Sequence, residues 1–184
     1  MADIWLMRHA SYAGHRPGHH APPDAPLSEE GRQQARDALP LPDGTRGIVT
    51  SPLRRAQETA ELLAHHTGLP ILAVSDLLTE WRAPTTILDR TPTTYPPSYT
   101  SWRQRRLDEP TSRYEDAETL AELHQRALKC VAFLHAVADE HGTILAVSHK
   151  VLLGVLIFRE GGPRVFARAA KRPWSFTERR LMKQ

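Results

Sequence analysis

Short apolar runs alternate with stretches of helical periodicity along this chain of 184 residues. The runs occupy residues 4–7, 47–50, 71–74 and 143–147, and each has the length of a buried strand. The helical patterns that follow them lie in residues 29–39, 51–67, 120–141 and 151–158. Strands that alternate with helices favour a mostly parallel sheet with helices on both faces. We therefore expect an α/β fold in three layers, α/β/α.

Residues at the ends of the helical stretches support this assignment. Ser28 is suited to cap the first helix, and Thr119 begins a capping box of sequence TLAE before the third. Pro52 is expected at the first position of the second helix, and Gly142 is expected to end the third. The last apolar segment, residues 165–169, is interpreted as an edge strand.

Residues 82–115 differ in composition from the segments around them. They are rich in proline, threonine and arginine, and they hold three tyrosines and one tryptophan. We interpret them as a short cap inserted into a single domain that spans residues 1–184. Two hypotheses stay open for the arginines of this cap, among them Arg103, Arg105 and Arg106. They contact a substrate, or they are solvated while the aromatic residues fill a small satellite core.

Composition limits the classes of function. The chain has 24 Lys and Arg against 21 Asp and Glu, which gives a formal net charge of +3. This balance suits attraction of an anionic small molecule, or merely a solvated surface. We find no nucleic-acid-binding motif and expect no nucleic-acid partner. The single cysteine, Cys130, excludes an internal disulfide and a cysteine-built zinc site.

Neither a membrane-spanning segment nor a secretory signal is expected. No apolar run approaches the roughly 18 residues that a membrane-spanning helix needs. The first residues resemble a strand rather than a signal sequence, because they lack a basic leader and a cleavage site. We therefore expect a cytoplasmic protein with no membrane partner. A homodimer stays open.

Two histidines, His9 and His149, stand at the ends of apolar runs. Arg8 precedes the first, and Arg55 belongs to a segment that follows another run. Because ligands in open α/β sheets bind outside the carboxyl ends of the strands, we expect these side chains to converge on one pocket. Arginine presents a planar fork of donors that suits phosphate oxygens. A histidine held among arginines can attack phosphorus as a neutral imidazole.

Six short motifs along the chain resemble those of the histidine phosphatase superfamily, also called the phosphoglycerate mutase-like family. They are LMRH at 6–9, LSEEG at 27–31, SPLRRAQETA at 51–60, LLTE at 77–80, ETL at 118–120 and VSH at 147–149. Each motif is weak alone, but they come in the family's order and span nearly the whole chain. The resemblance implies a phosphoglycerate mutase-like fold.

The resemblance also implies a role for each matching residue. His9 is the nucleophile and becomes phosphohistidine. Arg8, Arg55 and His149 bind the phosphoryl group and stabilise the charge that builds in the transition state. Glu80 protonates the leaving oxygen and then activates water for the second step.

No metal and no other cofactor is expected, because cationic side chains supply the electrostatics. The histidines His15, His19 and His20 lack the carboxylate or cysteine pattern that would complete a metal site, and we interpret them as the rim of a loop. For the general acid, Asp76 stays open as an alternative to Glu80.

Three residues depart from the family's pattern. Ala10 replaces the glycine that usually follows the first histidine. His15 stands where many members carry an asparagine that contacts phosphate, and Lys150 replaces the small residue usual after the second histidine. We expect His15 and Lys150 to contact the substrate and to bear on its identity, which the sequence does not name.

These observations favour a phosphomonoesterase that hydrolyses a small phosphorylated metabolite, a metal-independent hydrolase of the histidine acid phosphatase type. The first alternative is a phosphoglycerate mutase-type phosphotransferase, against which the short cap favours hydrolysis. The second is a non-catalytic phospholigand-binding protein on the same fold. That alternative predicts loss of His9, Glu80 or Arg55, and all three are present.

Overall fold

A five-stranded sheet forms the centre of the computed structural model, which describes residues 2–183. The strands are β1 (Ile4–Arg8), β2 (Gly47–Thr50), β3 (Ile71–Val74), β4 (Ile144–Ser148) and β5 (Arg179–Leu181). They lie in the order β3-β2-β4-β1-β5. The first four strands are mutually parallel, and β5 pairs with β1 in the antiparallel direction. The expectation of a mostly parallel sheet is confirmed.

Helices connect the strands and follow them in the chain. They are α1 (Glu29–Asp37), α2 (Arg54–Thr67), α3 (Pro97–Arg105), α4 (Leu120–His141), α5 (Lys150–Phe158) and α6 (Phe166–Lys171). Short 3-10 segments lie at Asp76–Leu78, Thr85–Ile87 and Arg159–Val165.

Alternate residues of the strands face opposite sides of the sheet, and each side is covered by helices. On one side, Ile48 and Leu145 pack with Ala56 and Leu63 of α2, and α1 packs against α2. On the other side, core residues of the same strands belong to one cluster with buried residues of α4, α5 and α6. The three-layer α/β/α architecture expected from the sequence is therefore present.

Most of the expected helix ends are observed. The Ser28 side chain accepts a hydrogen bond from the Gly31 N–H at 3.0 Å, and both bonds of the capping box at Thr119 are formed. Gly142 is the C-cap of α4. The start of α2 differs, because the helix begins at Arg54 rather than at Pro52.

The interpretation of residues 165–169 as an edge strand was wrong. Residues 166–171 form α6, and Phe166 and Ala169 point into the core with the i, i+3 spacing of one helix face. The edge strand is β5, which pairs with β1 through residues 179–181. Its sequence, RRL, lacks an apolar alternation, because the strand lies at the edge and its side chains are only partly buried.

The segment 82–115 contains one 3-10 segment and α3. Tyr99 and Trp102 are buried, with ring centroids 5.6 Å apart, and Tyr114 packs on both. These aromatic residues are continuous with the main core on the α4 side of the sheet. The cap is thus anchored by its own aromatic residues.

No helix within residues 2–183 is both long enough and apolar enough to cross a membrane.

Candidate active site

The carboxyl ends of three neighbouring strands meet at one edge of the sheet. Arg8 pairs in register with Ser148, and Thr50 pairs with Val147, so the residues that follow these strands lie side by side. His9 and His149 are 4% and 0% exposed, and their ring centroids are 5.0 Å apart. The structure therefore brings the two histidines together.

Arg55 connects the two histidines. It lies in the first turn of α2, and its side chain is buried. Its Nε–H donates to His9 Nε2 at 3.3 Å, and its Nη2 donates to His149 Nδ1 at 3.3 Å. A third bond runs from Nη1 to the carbonyl oxygen of Pro22 at 3.0 Å. The guanidinium is held at the centre of the site by three partners.

These bonds determine the tautomers of both histidines, because a guanidinium donates only. His9 Nδ1–H donates to the Ala10 carbonyl at 2.8 Å, which leaves the lone pair on Nε2. His149 accepts from Arg55 through Nδ1, so its Nε2–H donates to Ser51 Oγ at 2.8 Å. The lone pair of His9 Nε2 is therefore directed at Arg55, from which it accepts a hydrogen bond.

Both histidines are held in the neutral state. Burial lowers the pKa of His9 well below its ordinary value, and the nearby charge of Arg55 lowers it further. Burial is also the first cause of the lowered pKa of His149, followed by His9 and Arg55. A neutral imidazole is the form that can act as a nucleophile.

Arg8 lies next to His9 and is covered by the chain after α6. Its Nη1 donates to the Trp174 carbonyl, and its guanidinium stacks on the Phe176 ring, 4.0 Å from the ring centroid. Its Nε is buried and has no hydrogen-bond partner among residues 2–183. Burial lowers the pKa of Arg8, and the charge of Glu80 opposes this shift. Arg8 thus brings its positive charge beside His9 and lines a cavity.

Two aromatic residues of the site were missed by the sequence analysis. Tyr12 and Phe176 lie beside His9, with ring centroids at 5.9 Å and 5.8 Å from its ring. Phe176 also contacts His15 at 5.1 Å. Phe176 lies in the irregular segment between α6 and β5, so no periodic pattern could have indicated its place.

Glu80 lies at the N-terminus of α5. Its carboxylate accepts hydrogen bonds from the backbone N–H of Trp81 at 2.9 Å, Val151 at 3.1 Å and Leu152 at 3.1 Å. Its charge opposes the lowering of the pKa of both Arg8 and Arg55. The carboxylate is therefore fixed in direction and lies close to the arginines.

A cavity of about 1000 Å³ opens beside these residues. All but one of the candidate site residues line it: Arg8, His9, His15, Arg55, Glu80 and Lys150. The exception is His149, which is fully buried behind Arg55. Asp76, the alternative acid, also lines the cavity but is an exposed residue of the 3-10 segment after β3.

The arginines of the cap lie in different surroundings from one another. Arg82 lines the cavity, whereas Arg103, Arg105 and Arg106 are not among its lining residues. Arg105 pairs with Glu109 at the surface. Arg106 is buried, with its guanidinium over the rings of Trp81, Trp102 and Phe166. The hypothesis that these three arginines contact the substrate is therefore not supported, and they belong to the surface and the core.

The histidines of the loop at residues 11–26 line the cavity. Within residues 2–183, no three His, Cys, Asp or Glu side chains are grouped so that they could hold a metal ion. Arg54, the neighbour of Arg55 in sequence, points to the surface and pairs with Glu58 at 2.7 Å.

Comparison with known families gives one match that covers most of the chain. The description of the matching family is histidine phosphatase superfamily (branch 1), and the match spans residues 4–164. A curated relative, the uncharacterized phosphatase PhoE of Bacillus subtilis (strain 168), is 29% identical over 146 residues. That alignment covers 76% of this chain and 66% of PhoE, just under two thirds of its length.

Solved structures share the fold. The structure of an open reading frame from Mycobacterium tuberculosis has a TM-score of 0.69 and 26% identity, and covers 98% of this chain and 90% of that one. The alpha-ribazole phosphatase from Shigella flexneri has a TM-score of 0.70 and 25% identity, and the alignment covers 85% of this chain and 78% of that one. A phosphoserine phosphatase mutant from Entamoeba histolytica has 18% identity and a TM-score of 0.76, and the alignment covers 98% of this chain and 90% of that one. This likeness concerns the fold alone.

Proposed function

This chain belongs to the histidine phosphatase superfamily, and on that premise we propose that it is a phosphomonoesterase that transfers the phosphoryl group of its substrate to His9. The observation that carries the proposal is the pair of bonds from Arg55 to His9 Nε2 and His149 Nδ1. They leave a neutral imidazole with its lone pair directed at a phosphate-binding guanidinium.

Substrate binding begins with the two arginines. A phosphoryl oxygen replaces His9 as the acceptor of the Arg55 Nε–H, and another lies against the guanidinium of Arg8, which lines the cavity. His149 keeps Arg55 in place through its Nδ1. The positive charges of both arginines then stabilise the negative charge that builds on the phosphoryl oxygens.

The transfer takes two steps. His9 Nε2 forms a bond to phosphorus while the bond from phosphorus to the ester oxygen breaks, and protonated Glu80 gives its proton to that oxygen. Water then attacks the phosphohistidine, and Glu80 takes up the proton that the water loses. The second step releases phosphate and restores His9 and the protonated Glu80.

The organic part of the substrate lies in the remainder of the cavity. A volume of about 1000 Å³ exceeds the needs of a phosphate group alone and is at the upper end of ordinary ligand pockets. His15 and Lys150 line this space and supply donors for the substrate body. The proposed substrate is therefore a small phosphorylated metabolite with a sizeable organic body.

The test is a panel of phosphomonoesters, scored for release of inorganic phosphate. We expect release by the parent protein and by the His66→Ala variant, whose exposed histidine lies on α2. The His9→Ala variant should release none. Transfer of phosphate to an added alcohol without net release would instead indicate a phosphotransferase. Binding of esters with neither release of phosphate nor its transfer to an alcohol would indicate a phospholigand-binding protein.

A further inference from the structure

Arg126 of α4 lies beneath the segment that leads to Glu80. Its Nη1 donates to the carbonyl oxygens of Leu77 at 3.1 Å and Thr79 at 2.8 Å. Its Nη2 donates to the carbonyl oxygen of Glu80 itself at 3.4 Å. One side chain thus bonds to three carbonyl groups within four residues of backbone.

Glu118 fixes the guanidinium of Arg126. The two side chains form a bidentate pair, with Nε to Oε1 at 2.7 Å and Nη2 to Oε2 at 2.8 Å. Their side chains are only 17% and 9% exposed. A bidentate arginine–carboxylate pair has a defined plane, so it holds its remaining donors in a fixed direction.

Glu118 also contacts the two residues that follow Glu80, the side chain of Trp81 and the backbone of Arg82. Its carbonyl oxygen accepts from Trp81 Nε1 at 2.8 Å, and its Oε2 accepts from the Arg82 N–H at 3.3 Å. The Glu118–Arg126 pair therefore bonds to the chain immediately before, at and after Glu80. The carboxylate of Glu80 is held separately, by backbone N–H groups of Trp81 and of α5.

Glu80 needs this support because its segment lies outside the sheet. After β3 the chain forms only the 3-10 segment Asp76–Leu78 before it enters the cap. A general acid must lie within hydrogen-bond reach of the atom that it protonates. No strand fixes residues 79–82. Backbone bonds hold only their two ends, from the Glu118 N–H to the Arg82 carbonyl at 2.9 Å and from the Thr79 N–H to the Asp76 carbonyl at 3.1 Å, and the remaining bonds come from side chains.

We propose that Arg126, held by Glu118, is a positioning residue for the acid–base step, since it sets where the backbone of Glu80 lies relative to His9. This inference rests on the proposed function, in which Glu80 is the general acid. A purely structural pair would stabilise the fold and affect all substrates alike. A positioning pair affects most those substrates whose leaving oxygen needs a proton.

The experiment compares an alkyl phosphate with an aryl phosphate that has a good leaving group. Arg126→Lys keeps the charge but cannot keep the bidentate pair and all three carbonyl bonds. We expect the rate of the first step, phosphoryl transfer from the alkyl ester to His9 measured in a single turnover, to fall by about 10- to 100-fold, the order of loss for a small misplacement of a reacting group. With the aryl ester the rate of this first step, measured as release of the aryl alcohol in a single turnover, should fall by no more than about twofold, because that leaving group needs little protonation.

A matched control is Arg159→Lys. Arg159 is similarly buried, donates to the backbone carbonyls of Leu156 and Lys183, and lies near Glu160. It does not bond to the Glu80 segment, so we expect this variant to keep the parent's rate on each of the two esters. The double variant Glu80→Gln with Arg126→Lys should be no slower on the alkyl ester than Glu80→Gln alone, because both changes remove the same function.

Five outcomes separate the hypotheses. Equal losses on both esters, or additive losses in the double variant, would overturn the positioning role. A raised KM with unchanged turnover would also overturn it, because Arg126 would then be contacting substrate. If Arg126→Lys fails to fold, Glu118→Gln takes its place and should show a smaller difference between the losses on the two esters. The absence of any such difference in Glu118→Gln would overturn the proposal. Absence of phosphate release by the parent protein would instead mean that the proposed function has failed.

Discussion

Burial and neighbouring guanidinium groups set the protonation of the two histidines at the centre of the site. His9 and His149 lie within reach of Arg55 and are almost inaccessible to solvent. A protonated imidazole there would have no water shell and would face a positive charge. The same environment that prepares His9 as a nucleophile therefore also makes folding sensitive to acid.

The stability of the protein should fall as the pH is lowered from about 6.5, the ordinary pKa of histidine. The lowered pKa values of His9 and His149 mean that the unfolded chain binds more protons than the folded one in this range. The contribution of the two histidines to stability is complete above the pKa that histidine has in the unfolded chain. Below that pH, the free energy of unfolding falls by up to about 1.4 kcal/mol per pH unit for each histidine.

The measurement is urea unfolding at several pH values between 7.5 and 5.5, a range above the ordinary pKa of carboxylates. His149→Gln should show a shallower dependence on pH than the parent, while His66→Ala should show the parent's dependence. An unchanged slope in His149→Gln would contradict the account.

Single residues of the site differ in how far the sequence could predict them. His9, His149 and Arg55 were identifiable because they follow apolar runs whose carboxyl ends must meet. The burial of His149 behind Arg55 was not, because it depends on side-chain packing. Tyr12 and Phe176 could not be identified either, since their positions depend on irregular segments that fold over the sheet edge.

At the scale of secondary-structure elements, Glu80 is the cap of α5. Its carboxylate accepts from two of the first backbone N–H groups of that helix, and His149, the N-cap residue, makes no such side-chain bond. The proposed acid therefore has a structural role in addition to its proposed chemical one.

Glu80→Ala should lower the free energy of unfolding by about 1–2 kcal/mol, because it leaves the helix N-terminus without its acceptor. Glu80→Gln should lose less, since the amide oxygen still accepts. Urea unfolding at neutral pH measures both. The control is Asp76→Ala, an exposed carboxylate on the same cavity, which should change stability by no more than about 0.5 kcal/mol. Equal stabilities of Glu80→Ala and the parent would rule out the capping role.

The elements themselves were predictable where the apolar pattern had only one interpretation. The four parallel strands are apolar runs between helices, and their positions agree with the structure. Residues 165–169 were misassigned because a short apolar segment suits a strand or a helix face equally well. The sequence of β5 has no apolar pattern that would indicate a strand, because an edge strand with two arginines does not need an apolar side.

For the whole molecule, the order of the motifs was enough to predict the architecture but not the walls of the cavity. Lining residues come from the loop at residues 11–26, the start of α2, the segment around Glu80 and the start of α5. Where the loop and the cap lie depends on tertiary packing without periodicity, so the sequence left open whether the cap arginines contact the substrate.

Hydrolysis should continue in excess chelator, because the proposed mechanism uses Arg8 and Arg55 for charge stabilisation. The assay is phosphate release before and after prolonged incubation with EDTA, followed by addition of zinc or magnesium. Loss of activity on chelation, restored by either metal, would show that the loop histidines or nearby carboxylates bind a catalytic ion.

The most direct test of the central claim is to trap the phosphoenzyme on His9. In the Glu80→Gln variant, an aryl phosphate labelled at phosphorus should still phosphorylate His9, while the attack of water should be slow. Rapid quenching, proteolysis and mass spectrometry should then find a base-stable, acid-labile phosphoryl group on the peptide that contains His9, and none in a Glu80→Gln variant that also carries His9→Ala. A phosphoryl group on another residue, or parental turnover by His9→Ala alone, would contradict the account.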